Sequence, residues 1–385
     1  MVVQRSFASK ASVGGESLFE GCIALPLAWS LLASLAVGCG SYVPEPIDCD
    51  AVLGGACWSD LGLKGQPVGA LAETPWGLFA GTDHNGIFRF DEGARHWIPL
   101  GLDHASISSI VFVPGEPDRL FVGVRPYADE QTDAAVFKSE DRGETWTPSD
   151  GGLALRSGRR FWAYSLAVLA TQPPTLLMGG PGGTVLRSDS GGSVWSFVLG
   201  SADWWGPGVT SIVVSPRRAG RVWAGGTAAV FLPYVLRSDD FGETWQQFFI
   251  SRNVENAVFA LSVDPWNPDV LWAGLWGGVA RSDDGGRTWA FSLLLPDPEF
   301  PLPSSLVAGL SVARGVLYAA SVEHVKHPDG RIGTRLGLYA ARDGGMRWDT
   351  LPVPPGVQGA HSMITDSQGR LLIGTAGSGV WRVVP

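Results

Sequence analysis

The stretch VFALSVDPWNPDVLWAGLWGGVARSDDGGRTWAFSL, from Val258 to Leu293, decides the fold. It alternates short apolar runs with three turns rich in Gly, Pro, Asn and Asp, which is the pattern of successive antiparallel strands. We predict strand A in VFALSV, strand B in VLWAGL, strand C in GVARS and strand D from Trp289 onward. Such a segment predicts one four-stranded antiparallel sheet.

The same pattern returns along the chain. Equivalents of strand B are GLFAGT, RLFVGV, TLLMGG, RVWAGG, VLYAAS and LLIGT, which gives seven units with VLWAGL. The turn before strand D is an octapeptide ending in Trp, and its copies are FDEGARHW, SEDRGETW, SDSGGSVW, SDDFGETW, SDDGGRTW and ARDGGMRW. Their tryptophans are Trp97, Trp146, Trp195, Trp245, Trp289 and Trp348. Repetition at this period indicates one array of similar units rather than several domains.

The octapeptide pattern S-x-D-x-G-x-T-W resembles the Asp-box, or bacterial neuraminidase repeat. Ser and Asp side chains bond to the turn's own backbone, Gly adopts a conformation closed to other residues, and Trp buries its ring against the sheet. We therefore assign these residues a structural role. They are Ser139, Asp141, Gly143, Trp146, Ser188, Gly192, Trp195, Ser238, Asp240, Gly242, Trp245, Ser282, Asp284, Gly286, Trp289, Asp343, Gly345 and Trp348.

Radial arrays of four-stranded sheets at this period are β-propellers. The seventh unit ends after strand C, in LLIGTAGSGVWRVVP, so its strand D must come from elsewhere. The segment ACWSDLGL places Trp58 in the position of the octapeptide tryptophans. We predict an all-β, single seven-bladed propeller over 52–385, closed when this N-terminal strand pairs with the C-terminal blade. A six-bladed ring with an unpaired N-terminal segment is the alternative.

Composition agrees with an all-β chain and excludes one class of partner. The 385 residues include 52 Gly, 27 Pro and 17 Trp, and only 17% are charged. The net charge is -9 and there are four lysines, whereas binding to nucleic acid phosphates needs a basic face. We expect no nucleic acid partner.

The N-terminal region resembles a bacterial lipoprotein signal. An apolar run from about residue 22 to 37 ends in LAVGC, and the resemblance implies cleavage after Gly38 and acylation of Cys39. We expect a signal peptide at 1–38, a linker at 39–51, membrane contact only through the lipid, and a place in the cell envelope or outside the cell. An ordinary cleaved signal peptide and an uncleaved anchor are the alternatives, and the long acidic leader leaves open a later start codon.

If the protein is exported, its other cysteines can form a disulfide. Cys22 falls within the signal, which leaves Cys49 and Cys57 as a pair in an oxidising compartment. The two glycines between them allow the chain to fold back over the short distance that a disulfide needs. We predict a Cys49–Cys57 disulfide, with two free thiols as the alternative.

The two faces of the predicted propeller differ. The A–B and C–D turns share one face, where all octapeptides lie, and the B–C and D–A connections share the other, which carries the longer loops. Binding residues are usually found on loops held by a rigid scaffold. Arginines bind carboxylates or phosphates, and exposed tryptophans anchor proteins and sugars. The predicted binding residues on this loop-rich face are Arg156, Arg159, Arg160, Phe161, Trp162, Trp204 and Trp205.

Several families share the Asp-box. Sialidases are six-bladed and need a segment similar to F-R-I-P, which we do not find. Xyloglucan-hydrolysing glycosidases join two seven-bladed propellers around a cleft with two Asp residues, and sortilin-type receptors have ten blades. In size, period and export, the chain most resembles propellers of the photosystem II assembly factor type. That resemblance implies a binding or assembly role. With the N-terminal signal, we predict an exported, lipid-anchored scaffold that binds a protein partner through its loop-rich face. The alternative is a glycoside hydrolase or carbohydrate-binding propeller similar to sialidases or xyloglucan hydrolases.

Catalysis is the less favoured hypothesis. Paired carboxylates on the loop-rich face are the groups that glycoside hydrolysis needs, and the candidates are Asp129, Glu130, Asp203, Glu255, Asp297 and Glu299. His324 and His327 have the H-x-x-H spacing of some metal sites, but sequence places no third ligand. We expect no metal and no cofactor.

Overall fold

A computed structural model describes residues 49–125, 134–151, 153, 161–200, 208–227, 232–251, 256–295, 305–326 and 332–385. These residues form seven antiparallel sheets, six of four strands and one of five. Their secondary structure is β-strand except for one short 3-10 helix at Pro181–Gly183. The predicted all-β, seven-bladed propeller is confirmed.

The chain begins with β1 (Ala51–Leu53) and β2 (Ala56–Gly62), and the blades follow in order. Blade 1 contains β3 (Val68–Thr74), β4 (Gly77–Thr82), β5 (Ile87–Asp91) and β6 (His96–Pro99). Blade 2 contains β7 (Ser106–Val113), β8 (Glu116–Arg125), β9 (Val136–Ser139) and β10 (Thr147–Pro148). Blade 3 contains β11 (Ser165–Leu169), β12 (Thr175–Gly179), β13 (Val185–Ser188) and β14 (Ser196–Leu199). Blade 4 contains β15 (Val209–Val214), β16 (Val222–Thr227), β17 (Pro233–Ser238) and β18 (Gln246–Phe249).

Blade 5 contains β19 (Val258–Val263), β20 (Leu271–Leu275), β21 (Gly278–Ser282) and β22 (Ala290–Leu294). Blade 6 contains β23 (Leu306–Ala313), β24 (Val316–Lys326), β25 (Ile332–Ala341) and β26 (Asp349–Leu351). Blade 7 contains β27 (Ala360–Thr365), β28 (Leu371–Thr375) and β29 (Val380–Val384) with β2 and β1 from the N-terminal side. Strands are called A to D in this order, and β2 is strand D of blade 7.

The A strands form the inner wall of the ring. Each A strand contacts the A strands of the two neighbouring blades, and the contacts run through all seven blades back to the first. The A–B turns on the octapeptide face are bonded to one another in the same way: Arg217 donates to the carbonyl oxygen of Pro265 over 3.0 Å, and Ser367 Oγ donates to Glu73 over 2.8 Å. The ring therefore encloses a central channel with one mouth on each face.

The N-terminal strand closes the ring as predicted. β2 pairs antiparallel with β29, and Trp58, which is fully buried, lies opposite Val383. β1 pairs with β2 and adds a fifth strand outside it. The structure joins Cys49 to Cys57 in a disulfide with the Cα atoms 5.4 Å apart. Because β2 belongs to the last blade, the ring has no gap between blades 7 and 1, and the six-bladed alternative is wrong.

The octapeptides form compact turns through side-chain bonds to the backbone. Ser139 Oγ accepts a hydrogen bond from the Gly143 amide over 2.8 Å, and Asp141 accepts from the Thr145 amide over 2.9 Å. Gly143 has a φ of +89°, in the region that favours glycine. The indole N–H of Trp146 donates to the carbonyl oxygen of Leu100 in the preceding blade over 2.9 Å. The turn thus stabilises its own hairpin and the contact between two blades.

Candidate functional site

The mouth of the channel on the loop-rich face is built from two kinds of position. Strands A begin there and strands B end there, so the first residues of A and the residues just after B surround the opening. Most A strands carry a β-bulge at this end, which turns a side chain out of the regular alternation. The bulges lie between Val68 and Ala70, Ile107 and Ser109, Val209 and Ser211, Val258 and Ala260, Val307 and Gly309, and Ala360 and Ser362.

An ion pair joins blades 1 and 2 at this mouth. Asp83, directly after strand B of blade 1, accepts a hydrogen bond from Arg125, the last residue of strand B in blade 2, over 2.9 Å. The Asp83 side chain is 12% exposed and that of Arg125 is 40% exposed. The amide of Asp83 donates to the carbonyl oxygen of Pro67 over 2.9 Å. The carboxylate is therefore fixed, whereas the guanidinium keeps solvent-facing N–H groups with which to bind a ligand.

His361 adds a titratable group from blade 7. It is the bulged residue between Ala360 and Ser362, at the start of strand A, and part of the residue is accessible to solvent. Desolvation by the surrounding protein lowers the pKa of His361 below its ordinary 6.5, Asp83 opposes this shift, and Arg125 adds to it. A lowered pKa favours the neutral imidazole, which can both donate and accept a hydrogen bond.

Blade 3 contributes an aromatic pair. The rings of Trp162 and Tyr164 lie 6.3 Å apart in an edge-to-face arrangement, and both residues are half-buried. Their backbone is held because Ala163 donates to Val124 over 3.1 Å and Tyr164 donates to Gly179 over 2.8 Å. Burial raises the pKa of Tyr164, and Arg125 partly opposes the shift, so the phenol is within the electrostatic range of the ion pair.

Four successive blades thus place complementary groups at one opening, which we call the polar arc: His361, Asp83, Arg125 and the pair Trp162 and Tyr164. Aromatic faces take up apolar ring surface, and the arginine, imidazole and phenol donate hydrogen bonds. Within the described parts of the chain, no group of three or more His, Cys, Asp or Glu residues could hold a metal ion. The arc suits a polar ligand with apolar faces.

The sequence-predicted binding residues have different outcomes. Phe161 was expected on the binding surface, but it is 5% exposed and packs edge-to-face on Phe197 at 5.8 Å. It is a core residue because the chain has already turned inward ahead of strand A. Trp162 lies in the polar arc. The remaining five predicted binding residues fall outside the described residues, as does Cys39; they are Arg156, Arg159, Arg160, Trp204 and Trp205.

The candidate catalytic carboxylates Asp129, Glu130, Asp203, Glu255, Asp297 and Glu299 all lie outside the described residues, and so does His327. His324 is part of β24, a regular strand. Next to it, Glu323 accepts hydrogen bonds from Arg335 over 2.8 Å and from the hydroxyl of Tyr339. Tyr339 is buried in the core shared with blade 5, so this cluster stabilises the contact between blades.

Sequence reasoning missed Asp83, Arg125, Tyr164 and His361. A signal for the first two was present, because each follows directly on the B-strand patterns GLFAGT and RLFVGV. A polar residue just after strand B must lie at the channel mouth. His361 gave no such signal, since its direction depends on the β-bulge.

The fold and site define a seven-bladed β-propeller with a polar channel mouth, and comparisons with known proteins point to two groups. No protein-family model matches the sequence. The oligoxyloglucan-reducing end-specific xyloglucanase of Emericella nidulans is 31% identical over 183 residues, which are 44% of this chain and 22% of that protein. Xyloglucanase Xgh74A of Acetivibrio thermocellus is 26% identical over 297 residues, 72% of this chain and 30% of that protein. The chain therefore spans less than a third of these relatives.

Solved structures show the same fold. An ancestral GH74 enzyme superposes with a TM-score of 0.54 and 19% identity, over 70% of this chain and 35% of that one. YCF48 from Cyanidioschyzon merolae superposes with a TM-score of 0.54 and a sequence identity of 13%, over 85% of this chain and 98% of that one. YCF48 bound to D1 peptide superposes with a TM-score of 0.56 and a sequence identity of 14%, over 86% of this chain and 97% of that one. The two relatives by sequence named above are xyloglucanases, whereas the two YCF48 structures are matched over almost their whole length.

Proposed function

We propose that the protein binds a carbohydrate at the channel mouth of its loop-rich face. The observation that carries the proposal is the polar arc, in which Tyr164 packs edge-to-face on Trp162 and lies within electrostatic range of Arg125, the partner of Asp83. Sugar rings have apolar C–H faces and hydroxyls at their edges, so they need an aromatic surface with hydrogen-bonding groups at its border. The xyloglucanase relatives support this choice over the protein-binding role that the sequence favoured.

Binding is proposed rather than hydrolysis because we place one carboxylate, not two, in the polar arc. Hydrolysis of a glycosidic bond needs two carboxyl groups, about 5–5.5 Å apart in retaining enzymes or about 6.5–9.5 Å apart in inverting ones. Of the carboxylates in the described residues, Asp83 is the one we place in the polar arc, and it is bonded to Arg125. A catalytic partner would have to come from the candidates outside the described residues.

The test is isothermal titration calorimetry of the purified protein with xyloglucan oligosaccharides, alongside an assay for released reducing ends. We expect saturable binding by the wild type, weakened about tenfold or more in Trp162→Ala, since one aromatic anchor often contributes that much. Trp266→Ala is the matched control, because Trp266 is 59% exposed in an A–B turn on the opposite face. Equal binding by wild type and Trp162→Ala would contradict the site.

A protein ligand is the second candidate. It is favoured by the arginine-rich segment Arg156 to Arg160, since arginine forms paired hydrogen bonds with carboxylates. Crosslinking in the native cell, followed by mass spectrometry of captured proteins, tests it. Loss of one specific captured protein in an Arg159→Glu, Arg160→Glu double variant would support this role.

We also propose export, with a signal peptide at 1–38, acylation of Cys39 and a linker at 39–51. The Cys49–Cys57 disulfide supports it, because disulfides persist in oxidising compartments. The described residues contain no helix long and apolar enough to cross a membrane. Mass spectrometry of the mature N-terminus tests the proposal: a lipid-modified Cys39 is expected, and an unmodified N-terminus would contradict it.

A further inference from the structure

The bulged residues at the start of the A strands contact the following blade. Ser108, in the bulge of blade 2, donates from its hydroxyl to the carbonyl oxygen of Ala163 in blade 3 over 2.5 Å. Thr210, in the bulge of blade 4, donates in the same way to the carbonyl oxygen of Val258 in blade 5 over 2.5 Å. The bulge therefore directs a polar side chain from one blade to the next around the ring.

His361 occupies the bulged position of blade 7, so the same geometry directs its side chain toward blade 1. The two A strands are in contact there, since Ser362 donates from Oγ to the carbonyl oxygen of Val68 over 3.1 Å. The bulged residue of blade 1 is Gly69, where an added Cβ would lie 3.8 Å from Asp83 Oδ1. Gly69 therefore contributes no side chain between blade 7 and the Asp83 carboxylate.

Both members of the Asp83–Arg125 ion pair act on the imidazole of His361. Desolvation is the largest cause of the lowered pKa of His361, the negative charge of Asp83 raises that pKa, and the positive charge of Arg125 lowers it. Among the described residues, these are the two charged groups that shift it. Blades 7, 1 and 2 thus place one carboxylate within electrostatic range of two basic groups.

We infer that His361 is a proton-controlled switch for the Asp83–Arg125 ion pair. While the imidazole is neutral, Asp83 accepts the hydrogen bond from Arg125 over 2.9 Å. A proton taken up from solvent makes His361 a cation, which attracts the carboxylate and repels the guanidinium. Asp83 then pairs with the imidazolium, and Arg125, whose side chain is already 40% exposed, turns to solvent. Because desolvation lowers the pKa of His361, the switch acts in weakly acidic solution, below pH 6.5.

The switch regulates the same site, and this inference rests on the proposed function only for its effect on binding. Arg125 is a hydrogen-bond donor that the polar arc offers to a ligand, and Asp83 fixes its position. Without that anchor, the guanidinium has to be ordered when the ligand binds, which costs conformational entropy. Ligand affinity at the mouth therefore falls as His361 takes up its proton.

Nuclear magnetic resonance of protein containing 13C-labelled histidine tests the switch without a ligand, with the His361 signal identified by its loss in His361→Gln. We expect the pKa of His361 to fall in Asp83→Asn and to rise in Arg125→Gln, because each variant removes one of the two charges. Asp118→Asn is the matched control, since Asp118 pairs with Arg142 over the same 2.9 Å on the octapeptide face. An unchanged pKa of His361 in Asp83→Asn and Arg125→Gln would overturn the inference.

Calorimetric titration with a xyloglucan oligosaccharide at pH 7 and pH 5 tests the effect on binding. We expect the wild type to bind about fivefold or more weakly at pH 5, because a charge-assisted hydrogen bond loses its fixed donor. His361→Gln should bind equally at both pH values, and His361→Lys, a permanent cation, should bind weakly at both. Equal wild-type affinity at the two pH values, or the same decline in His361→Gln, would overturn the inference and leave the proposed function standing. No binding at either pH would overturn the proposed function, and the resonance titration then decides the switch by itself.

Discussion

Arg281 of blade 5 donates a hydrogen bond from Nη1 to the carbonyl oxygen of Gly344 in blade 6, over 2.7 Å. Trp272 donates from its indole nitrogen to the same oxygen over 3.0 Å. One blade earlier, Arg237 and Trp223 share the Gly285 carbonyl oxygen in the same manner, at 3.5 and 3.1 Å. Each arginine stands just before an octapeptide and bonds to the octapeptide of the following blade. These turns therefore link neighbouring blades in addition to stabilising their own hairpins.

The first prediction concerns Trp272. It is 1% exposed, and replacement by Ala removes both a buried ring and the bond to Gly344. We expect the free energy of unfolding to fall by about 3–5 kcal/mol, the usual cost of such a cavity. Urea denaturation followed by fluorescence measures it. Trp266→Ala should change stability by no more than about 0.5 kcal/mol, because Trp266 is exposed; equal losses in the two variants would contradict the account.

The second prediction concerns ring closure. The Cys49–Cys57 disulfide holds the strand that completes blade 7, since Cys57 lies opposite Val384 in the β2–β29 pair. Replacing both cysteines by Ser should destabilise the protein by about 2–3 kcal/mol, because the unfolded chain without the crosslink gains conformational entropy. Hydrogen exchange should then rise first in β2 and β29. Uniform exchange in all blades, or unchanged stability, would show that the disulfide does not support closure.

Six residues show how much of the fold and of the candidate site could be predicted from the sequence. Trp58 was placed correctly because strand D has a repeating pattern and the seventh unit lacked that strand. Phe161 was placed wrongly because an aromatic residue at the junction of loop and strand looks the same whether it points outward or inward. Asp83 and Arg125 were missed because their contact joins two blades, which no local pattern specifies. The arginines before two octapeptides, Arg237 and Arg281, were overlooked because the carbonyl oxygens to which they donate lie one blade further on.

The third prediction is that the stability contributed by the octapeptides decreases at acid pH. Hydrogen bonds from the side chain and amide of Thr145, and from Ser139, lower the pKa of Asp141 from 3.8 to about 2. A lowered pKa in the folded state means that the unfolded state binds more protons in this range, so the stabilisation is complete above pH 3.8 and is lost as the pH falls toward 2. Asp141→Asn should show a smaller loss of stability than the wild type between pH 4 and 2, measured by urea denaturation. Parallel curves would exclude this role for Asp141.

The fourth prediction concerns His361. Because desolvation lowers its pKa below 6.5, the unfolded state takes up a proton more readily, and stability should fall as the pH drops below about 6.5. Asp83 works against this effect and Arg125 works with it. His361→Gln should remove part of the decline between pH 7 and 5 in thermal unfolding. An identical decline in His361→Gln would mean that another group is responsible.

The most direct measurement of the central claim is hydrogen–deuterium exchange of the wild type with and without a bound xyloglucan oligosaccharide. A ligand at the channel mouth should slow exchange in 82–85, 123–125, 161–164 and 359–362, the segments that carry the polar arc. Exchange on the opposite face, in 264–269 around Trp266, should not change. Protection confined to the opposite face, or exchange that is the same with and without a saturating oligosaccharide, would contradict carbohydrate binding at the loop-rich mouth.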